Sequence, residues 1–444
     1  MTTTVLSSPV AVQAPVQAAV SVAEPAAVPV AVAAPAPGTV RFLGRERDYW
    51  RLRIKGAALV MVTLGLYRFW LATDVRRFLW ANTEIAGDTL EYNGLATELL
   101  VGFLLAVAIL VPLDMALAVA ALEETLAAGV VVFGFLVVAF LSEFALYRAR
   151  RYRLTRTVFR GVRFDQHGRA WNYALRALLW WALVIVTLGL AYPWKEASLQ
   201  RFKMGNTSYG DLPGRFEASG AALFWRGLPI WLLVVGPLLA AAAAISGLVD
   251  WNALGSAMTA ADDGAMDRLI ENDPQLSLAI GIAALAVAAS FLAVVLLWPV
   301  FAAVTMRWWL SGLRFGAVTV TSRLRIGRVY RVYLRFFCYL LLFALLALGV
   351  GIGAIAAVGV LLRRTHDANL SELAASAVTL GLYVVIALGA STIYQVVVAA
   401  ALWRLGAQSA ELSGVAVLDD VRAAGTASSA LGEGLADALG VGSI

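Results

Sequence analysis

Long apolar runs separated by arginine-rich or acidic stretches organise this chain. Runs near the length that crosses a bilayer as a helix, about 20 residues, fall at 54–70, 97–121, 127–146, 173–192, 223–249, 277–303, 336–362 and 374–402. Between them, polar and apolar residues alternate in short pieces. In TEIAGDTLEYNG at 83–94, Gly87-Asp88 separates two alternating runs, the pattern of a tight β-hairpin. TSYGDLPGRFEASG at 207–220 has the same form, and the β-branched run Val318-Thr319-Val320-Thr321 favours strand over helix. TVRFLG at 39–44 and GVRFDQHG at 161–168 add two short strands upstream of apolar runs. An isolated hairpin is marginal in water, so these pieces predict small cytoplasmic β-hairpin elements that pair beneath the membrane.

One block of the pattern is written twice. Residues 62–83 return at 186–207, an offset of 124, with ten identities in 22 positions. The shared residues are Val-Thr-Leu-Gly-Leu, a tryptophan (Trp70, Trp194), Arg77-Phe78 and Arg201-Phe202, and Asn82-Thr83 and Asn206-Thr207. A partial third copy follows the sixth apolar run, with Arg307 where Arg77 and Arg201 stand and Gly312 replacing the asparagine. Duplicated units that each end an apolar run suit a membrane architecture built on internal repeats. The division this suggests is an arm at 1–38, repeat units at 39–145 and 146–304, a partial third unit at 305–404 and a tail at 405–444.

Charge decides sidedness, because cytoplasmic loops collect Lys and Arg. Residues 146–172 hold eight arginines against one acid, and 305–335 hold seven against none. The stretch 250–275 carries six acids and one arginine and suits the opposite face. Three apolar runs lie between the two arginine loops, so one of them does not cross. The long pair flanking the acidic stretch goes out and back, which leaves 173–192. Its duplicate 54–70 is basic at both ends and behaves the same way. The expectation is an all-α polytopic membrane protein with eight apolar segments: six full crossings and two re-entrant or interfacial segments that break near Gly65 and Gly189.

Composition removes most function classes. Of 444 residues, 61% are apolar and 14% charged, far less polar surface than a soluble globule of this size needs. Cys338 is the single cysteine, and His167 and His366 are the only histidines, so neither a disulfide nor a Cys/His metal site is expected, and no cofactor. No P-loop, HExxH or GxSxG occurs, which argues against an enzyme. The arginine loops abut membrane segments, so anionic lipid headgroups at the cytoplasmic face are the expected partner and nucleic acid is not. The first 38 residues are rich in Ala, Val and Pro and hold no Lys or Arg, and six prolines stop any helix, predicting a disordered arm. From Leu405 the chain turns Ala/Gly-rich and predicts a cytoplasmic tail.

The candidate ligand or lipid contacts are the duplicated polar residues Asn82, Thr83, Asn206 and Thr207, with Arg77 and Arg201 placed for lipid phosphates. Asn and Thr that bond their own backbone to shape a turn explain the pairs as well. Asp114, two residues after Pro112, is the one carboxylate placed to lie within a crossing, where an acid is a functional candidate by default. Gly102 reads as an ordinary small residue of the same crossing.

Val40-Arg41-Phe42-Leu43-Gly44, Thr63-Leu64-Gly65-Leu66-Tyr67 with Trp70, Arg76-Arg77-Phe78, Asn82-Thr83, Glu91-Tyr92-Asn93-Gly94 and the ending Gly432-Glu433-Gly434-Leu435-Ala436-Asp437-Ala438 together resemble the YjgN-like family of bacterial inner-membrane proteins. The chain departs from that pattern at Phe69-Trp70, where the family has proline before the tryptophan; Pro193-Trp194 keeps it. The resemblance implies a multi-pass protein of the bacterial inner membrane, with its amino terminus cytoplasmic by the charge pattern above, and lends no activity. Repeats with interrupted segments favour a transport or permeation protein, and the shortage of buried charge favours a non-transporting envelope scaffold or lipid-contact protein.

Overall fold

A computed structural model describes residues 38–259, 265–362, 368–424, 429–439 and 441. Residues 1–37 of the amino-terminal arm therefore lie outside the described residues, as do Asp262, Asp263 and His366, while its last residue, Gly38, opens the first strand.

The alternating pieces do pair, but not as small hairpins. Ten strands close into one antiparallel barrel, which corrects the expectation of small hairpin elements. In chain order they are β1 (Gly38–Phe42), β2 (Thr83–Ile85), β3 (Asp88–Tyr92), β4 (Thr157–Phe159), β5 (Val162–Gln166), β6 (Thr207–Tyr209), β7 (Leu212–Phe216), β8 (Leu313–Phe315), β9 (Val318–Ser322) and β10 (Ala410–Ser413). Each strand pairs with its neighbours in sequence, and β10 pairs with β1 through Gly38↔Leu412 and Thr39↔Glu411 to close the ring. Two-residue turns join β2 to β3 and β4 to β5, with positive φ at Ala86 and Gly87 and at Arg160 and Gly161, the backbone twist that tight hairpins require.

Strand periodicity sorts the side chains. Val40, Ile85, Phe315, Val320 and Leu412 meet inside the barrel, and the rings of Phe159, Phe164, Tyr209 and Phe315 follow one another at centroid distances of 4.8 to 6.0 Å. Outside, Arg41 stands opposite Glu84 and Glu411 opposite Thr321. The barrel axis is therefore packed with side chains.

At the other rim, each five-residue strand leads into helices that return to a short strand. The pairs are α1 (Glu46–Val62) with α2 (Arg68–Ala81), α3 (Ala96–Ala120) with α4 (Glu124–Thr155), and α5 (Ala170–Val186) with α6 (Tyr192–Gly205). Next, α7 (Gly220–Leu248) returns through the short helices α8 (Trp251–Thr259) and α9 (Ala265–Asn272) as α10 (Pro274–Gly312). Last, α11 (Ile326–Leu362) returns as α12 (Ala368–Tyr394), a π-helical turn at Gln395–Ala399 and α13 (Ala400–Ser409). One backbone bond recurs in all five. The N–H of Leu43, Asn93, His167, Glu217 and Arg323, each just past its long strand, donates to the carbonyl of Asn82, Arg156, Asn206, Gly312 and Ser409 at 2.7 to 2.9 Å.

Among the described residues, six helical stretches are long and apolar enough to cross a membrane: Ala96–Ala120, Ala127–Thr155, Gly220–Leu248, Pro274–Gly312, Ile326–Val360 and Glu372–Ser409. They expose leucines and phenylalanines such as Phe135, Phe291, Leu342 and Leu346, as lipid-facing helices do. The two remaining pairs, α1/α2 and α5/α6, are short, and the duplicated Val-Thr-Leu-Gly-Leu is their hairpin. At its first copy the helix ends in a Schellman motif: Gly65 N–H donates to Val60 O at 2.7 Å and Leu64 N–H to Met61 O at 3.3 Å. The Thr63 hydroxyl donates to Leu59 O at 2.7 Å and accepts from Tyr67 N–H at 3.0 Å, so one threonine closes one helix and opens the next. Thr187 repeats this between Leu183 and Ala191. Leu64 and Leu188 have φ 50°, Gly65 93° and Gly189 94°.

Past the barrel strand, residues 415–419 form a 3-10 turn and α14 (Leu431–Ala438) packs between α3 and α4. A Cβ on Gly432 would collide with the Arg148 backbone, and one on Gly434 with the Gly102 backbone. Gly102 is thus no ordinary crossing residue; it is the floor on which α14 lies.

Candidate functional site

A cluster of charged side chains, two of them buried, lies where α14 meets the first short hairpin. Arg76 is buried on α2; one Nη donates to the Tyr92 hydroxyl at 3.1 Å and the other pairs with the buried Glu433 carboxylate of α14. One turn along α14, Asp437 pairs with Arg68 at 2.9 Å, and the Arg68 guanidinium lies over the Phe103 ring at 4.2 Å. Arg53 approaches from α1 and Gln395 from the π-helical turn. Together they line a cavity of about 320 Å³ whose other walls include Val60, Phe69, Leu71 and Leu388.

The local sequence explains each placement. On α2, Phe69, Thr73, Arg76 and Trp80 recur at helical spacing and share a buried face. The π turn inserts one extra residue and buries Val396, Val397 and Val398; single π turns inside α-helices are frequent at functional sites. Gly432 and Gly434 let α14 approach closely enough for Glu433 to reach Arg76.

Four buried atoms around this cavity have no hydrogen-bond partner among the described residues: Arg53 Nε, Gln395 Oε1, Glu433 Oε2 and Asp437 Oδ2, the last held by Arg68 as an ion pair only. Each such group costs about 1–3 kcal/mol, and together they mark the place where a polar group would be accommodated. Burial pulls the Arg53 guanidinium below its ordinary value, with Tyr49 opposing. Burial acts the same way on Arg76, but Glu433 and Tyr92 more than reverse it and hold it up. Asp437 is pushed up by burial, against the pull of Arg68.

A second cavity, about 500 Å³, lies among α2, α6, α10 and α13. Glu196, Gln200, Trp298, Trp309 and Trp403 line it, and Trp309 Nε1 donates to Gln200 at 3.3 Å. Beside it Lys195 pairs with Glu196 at 3.2 Å and lies 3.6 Å from the Trp181 ring centroid. Burial pulls Lys203 down to about 8, with Glu196 opposing.

The duplicated polar residues line neither cavity. Asn82 and Asn206 donate to the carbonyls of Phe78 and Phe202 at 2.8 and 2.7 Å, and Thr83 and Thr207 to those of Leu79 and Lys203 at 2.7 Å. The threonine hydroxyls also receive a neighbouring helix: Trp403 Nε1 donates to Thr83 at 3.0 Å, Trp80 Nε1 to Thr157 at 2.9 Å and Arg150 to Thr207 at 2.9 Å. Arg77 and Arg201 are exposed and donate to Gly94 O and Ala218 O, each two residues past a long strand. Asp114 lies on the exposed surface of α3, away from both cavities. Gly65 and Gly189 sit at the hairpin tips. No group of metal-binding side chains occurs among the described residues.

A closed strand barrel bearing helices long enough to cross a bilayer defines a polytopic membrane protein with a packed barrel at one end. The chain belongs to the family described as bacterial protein of unknown function, DUF898, whose profile matches residues 37–438. That agrees with the resemblance to the YjgN-like family carried by the motifs above. No curated protein and no solved structure matches it.

Proposed function

We propose that this chain is a protein of the bacterial inner membrane, with its amino terminus and barrel on the cytoplasmic side, that takes a bilayer amphiphile into its ring of helices. Five strand–helices–strand stretches are read as copies of one unit, each with an arginine (Arg77, Arg151, Arg201, Arg307, Arg404) five residues before the carbonyl that accepts the recurring N–H bond. Barrel-proximal helix ends hold the arginine excess, including Arg148, Arg150, Arg151, Arg328 and Arg331, which supports a cytoplasmic barrel.

The observation that carries the reading is the height of the short hairpins. The apolar part of α1 runs from Gly56 to Val62, about 10 Å at 1.5 Å per residue, and that of α5 from Ala177 to Val186, about 15 Å, at most half of a hydrocarbon core of about 30 Å. The tip residues Leu64 and Leu188 are 95% and 56% exposed. Where three pairs span, two stop midway, so the wall of the ring is low beside α1/α2 and α5/α6. The charged cavity lies directly behind the first low wall. The packed barrel axis argues against a solute path through the barrel, and lipid contact therefore takes precedence over permeation.

Reporters fused after residues 90, 165, 210 and 325 are expected to report cytoplasm, and one after 255 the exterior. Protein extracted in native lipid discs is expected to carry co-purifying lipid that survives detergent exchange, with no solute flux in liposomes above protein-free controls. Sustained flux of ions or small solutes would favour permeation, for which the 500 Å³ chamber is the supporting feature.

A further inference from the structure

We infer that the cavity between α1, α2, the π-helical turn and α14 binds the anionic headgroup of a membrane phospholipid, with Arg53 as its principal cation and Arg68 shared between headgroup and Asp437. This rests on the amphiphile reading above and deepens it by naming the headgroup class.

Charge selects an anion. Among the described residues Arg76 is committed to Glu433 and Arg68 to Asp437, whereas Arg53 is paired with no carboxylate and its buried Nε has no hydrogen-bond partner. A cationic headgroup would meet three guanidinium groups against two carboxylates, each already paired with an arginine through one oxygen. An anion meets Arg53 directly and can draw Arg68 from Asp437, since that pair is half-exposed and worth little in its present state. Arginine also supplies a fork of donors that matches phosphate oxygens.

Shape selects an amphiphile. The same helices supply both kinds of lining: Arg53 with Val60 from α1, Arg68 with Leu71 from α2, and Gln395 with Leu388 from the helix ending in the π turn, so polar and apolar groups meet in one cavity. Acyl chains of a lipid whose headgroup lies there would leave over the low tip of the first hairpin, where Val62 and Leu64 are exposed. In the second short hairpin Ala177 stands at the position of Arg53, Tyr192 at that of Arg68 and Gln200 at that of Arg76, by the offset of 124 residues. The pocket at that hairpin is lined by Val184, Leu190, Phe224 and Trp231. Of these two pockets, the one at the first low wall carries the arginines. Asp437 tunes it: its carboxylate occupies Arg68 and repels an entering anion.

The test uses the full chain in detergent, with retention of phosphatidylglycerol and of phosphatidylcholine of the same acyl chains measured by native mass spectrometry. Phosphatidylglycerol is expected to be retained at least about fivefold better, the effect of roughly one favourable charge contact. Arg53→Gln should erase that preference by lowering phosphatidylglycerol retention more than phosphatidylcholine retention, and Arg53→Lys should restore part of it. Asp437→Asn, at a side chain 40% exposed and so tolerant of change, should raise phosphatidylglycerol retention. Equal retention of the two lipids, or a preference that persists in Arg53→Gln and is unmoved in Asp437→Asn, overturns the headgroup assignment. If Arg53→Gln does not fold, the Asp437→Asn result decides alone. Glycerol phosphate added at millimolar concentration should leave the lipid bound; displacement would assign the cavity to a soluble phosphate ester and overturn the lipid source. Retention of neither lipid would instead remove the amphiphile reading on which this inference stands.

Discussion

Single residues show where pattern reading stops. Arg76 and Arg77 are adjacent in sequence, and only Arg77 recurs in the duplicate, so duplication draws attention to the residue that braces a loop. Its neighbour enters the cavity because it lies one helical step around, on the buried face. Glu433 and Asp437 are visible as part of a family-like ending, but nothing in their spacing announces partners more than 350 residues away. The buried pair has a direct thermodynamic consequence. Arg76→Ala leaves the Glu433 carboxylate buried without its main partner, and a loss of about 3–5 kcal/mol is expected, read as a lower unfolding midpoint in detergent. The double change Arg76→Leu with Glu433→Leu should recover much of it, because two apolar groups leave no orphaned charge. A pH effect belongs to Lys203. Its folded value of about 8 lies below the ordinary 10.5, so the unfolded chain binds more protons between those limits. Stability should rise as pH increases through that window, and a melting series should lose that part of its slope in Lys203→Met.

At the scale of elements, the short segments were legible because their interruption is written in sequence: Thr-Leu-Gly-Leu supplies a hydroxyl to bond both helices and a glycine for the left-handed backbone. Gly189→Val should lower folded yield far more than Gly281→Val, since Gly189 has φ 94° while a side chain on Gly281 meets open space. Equal yields from the two variants would show that the turn tolerates β-branching. The duplicated Asn-Thr was legible as a feature and ambiguous as to purpose. Its threonines proved to be junctions between successive helices, so Thr207→Val removes both the bond to Lys203 O and the acceptor for Arg150. A loss of about 1–3 kcal/mol is expected by thermal unfolding. Strands β4 and β10 were not legible. Each is three or four residues long, continues directly from a long helix and has no turn residue at its start, so period and punctuation both fail to mark it.

For the whole molecule, the six helices long enough to cross were legible from apolar run length, charge parity and the duplication taken together, whereas barrel closure was not, because pairing between strands so far apart in sequence leaves no local trace. The closing strand can be tested by truncation. A chain ending after residue 424 loses α14 but keeps all ten strands, and should remain monodisperse on size exclusion. One ending after residue 409 also loses β10 and leaves β1 and β9 with open edges, and should self-associate. The same pairing sets the order of assembly. β1 leaves the ribosome among the first described residues, and its partner β10 leaves some 370 residues later, about 20–75 s at typical elongation rates. Throughout that interval β1 has one unpaired edge while helix after helix enters the bilayer, and Arg41 on its outer face is the kind of charge that discourages stray pairing. The ring cannot become a barrel until β10 has emerged, so the protein is held open by its own synthesis, and a fault at β10 is felt at β1.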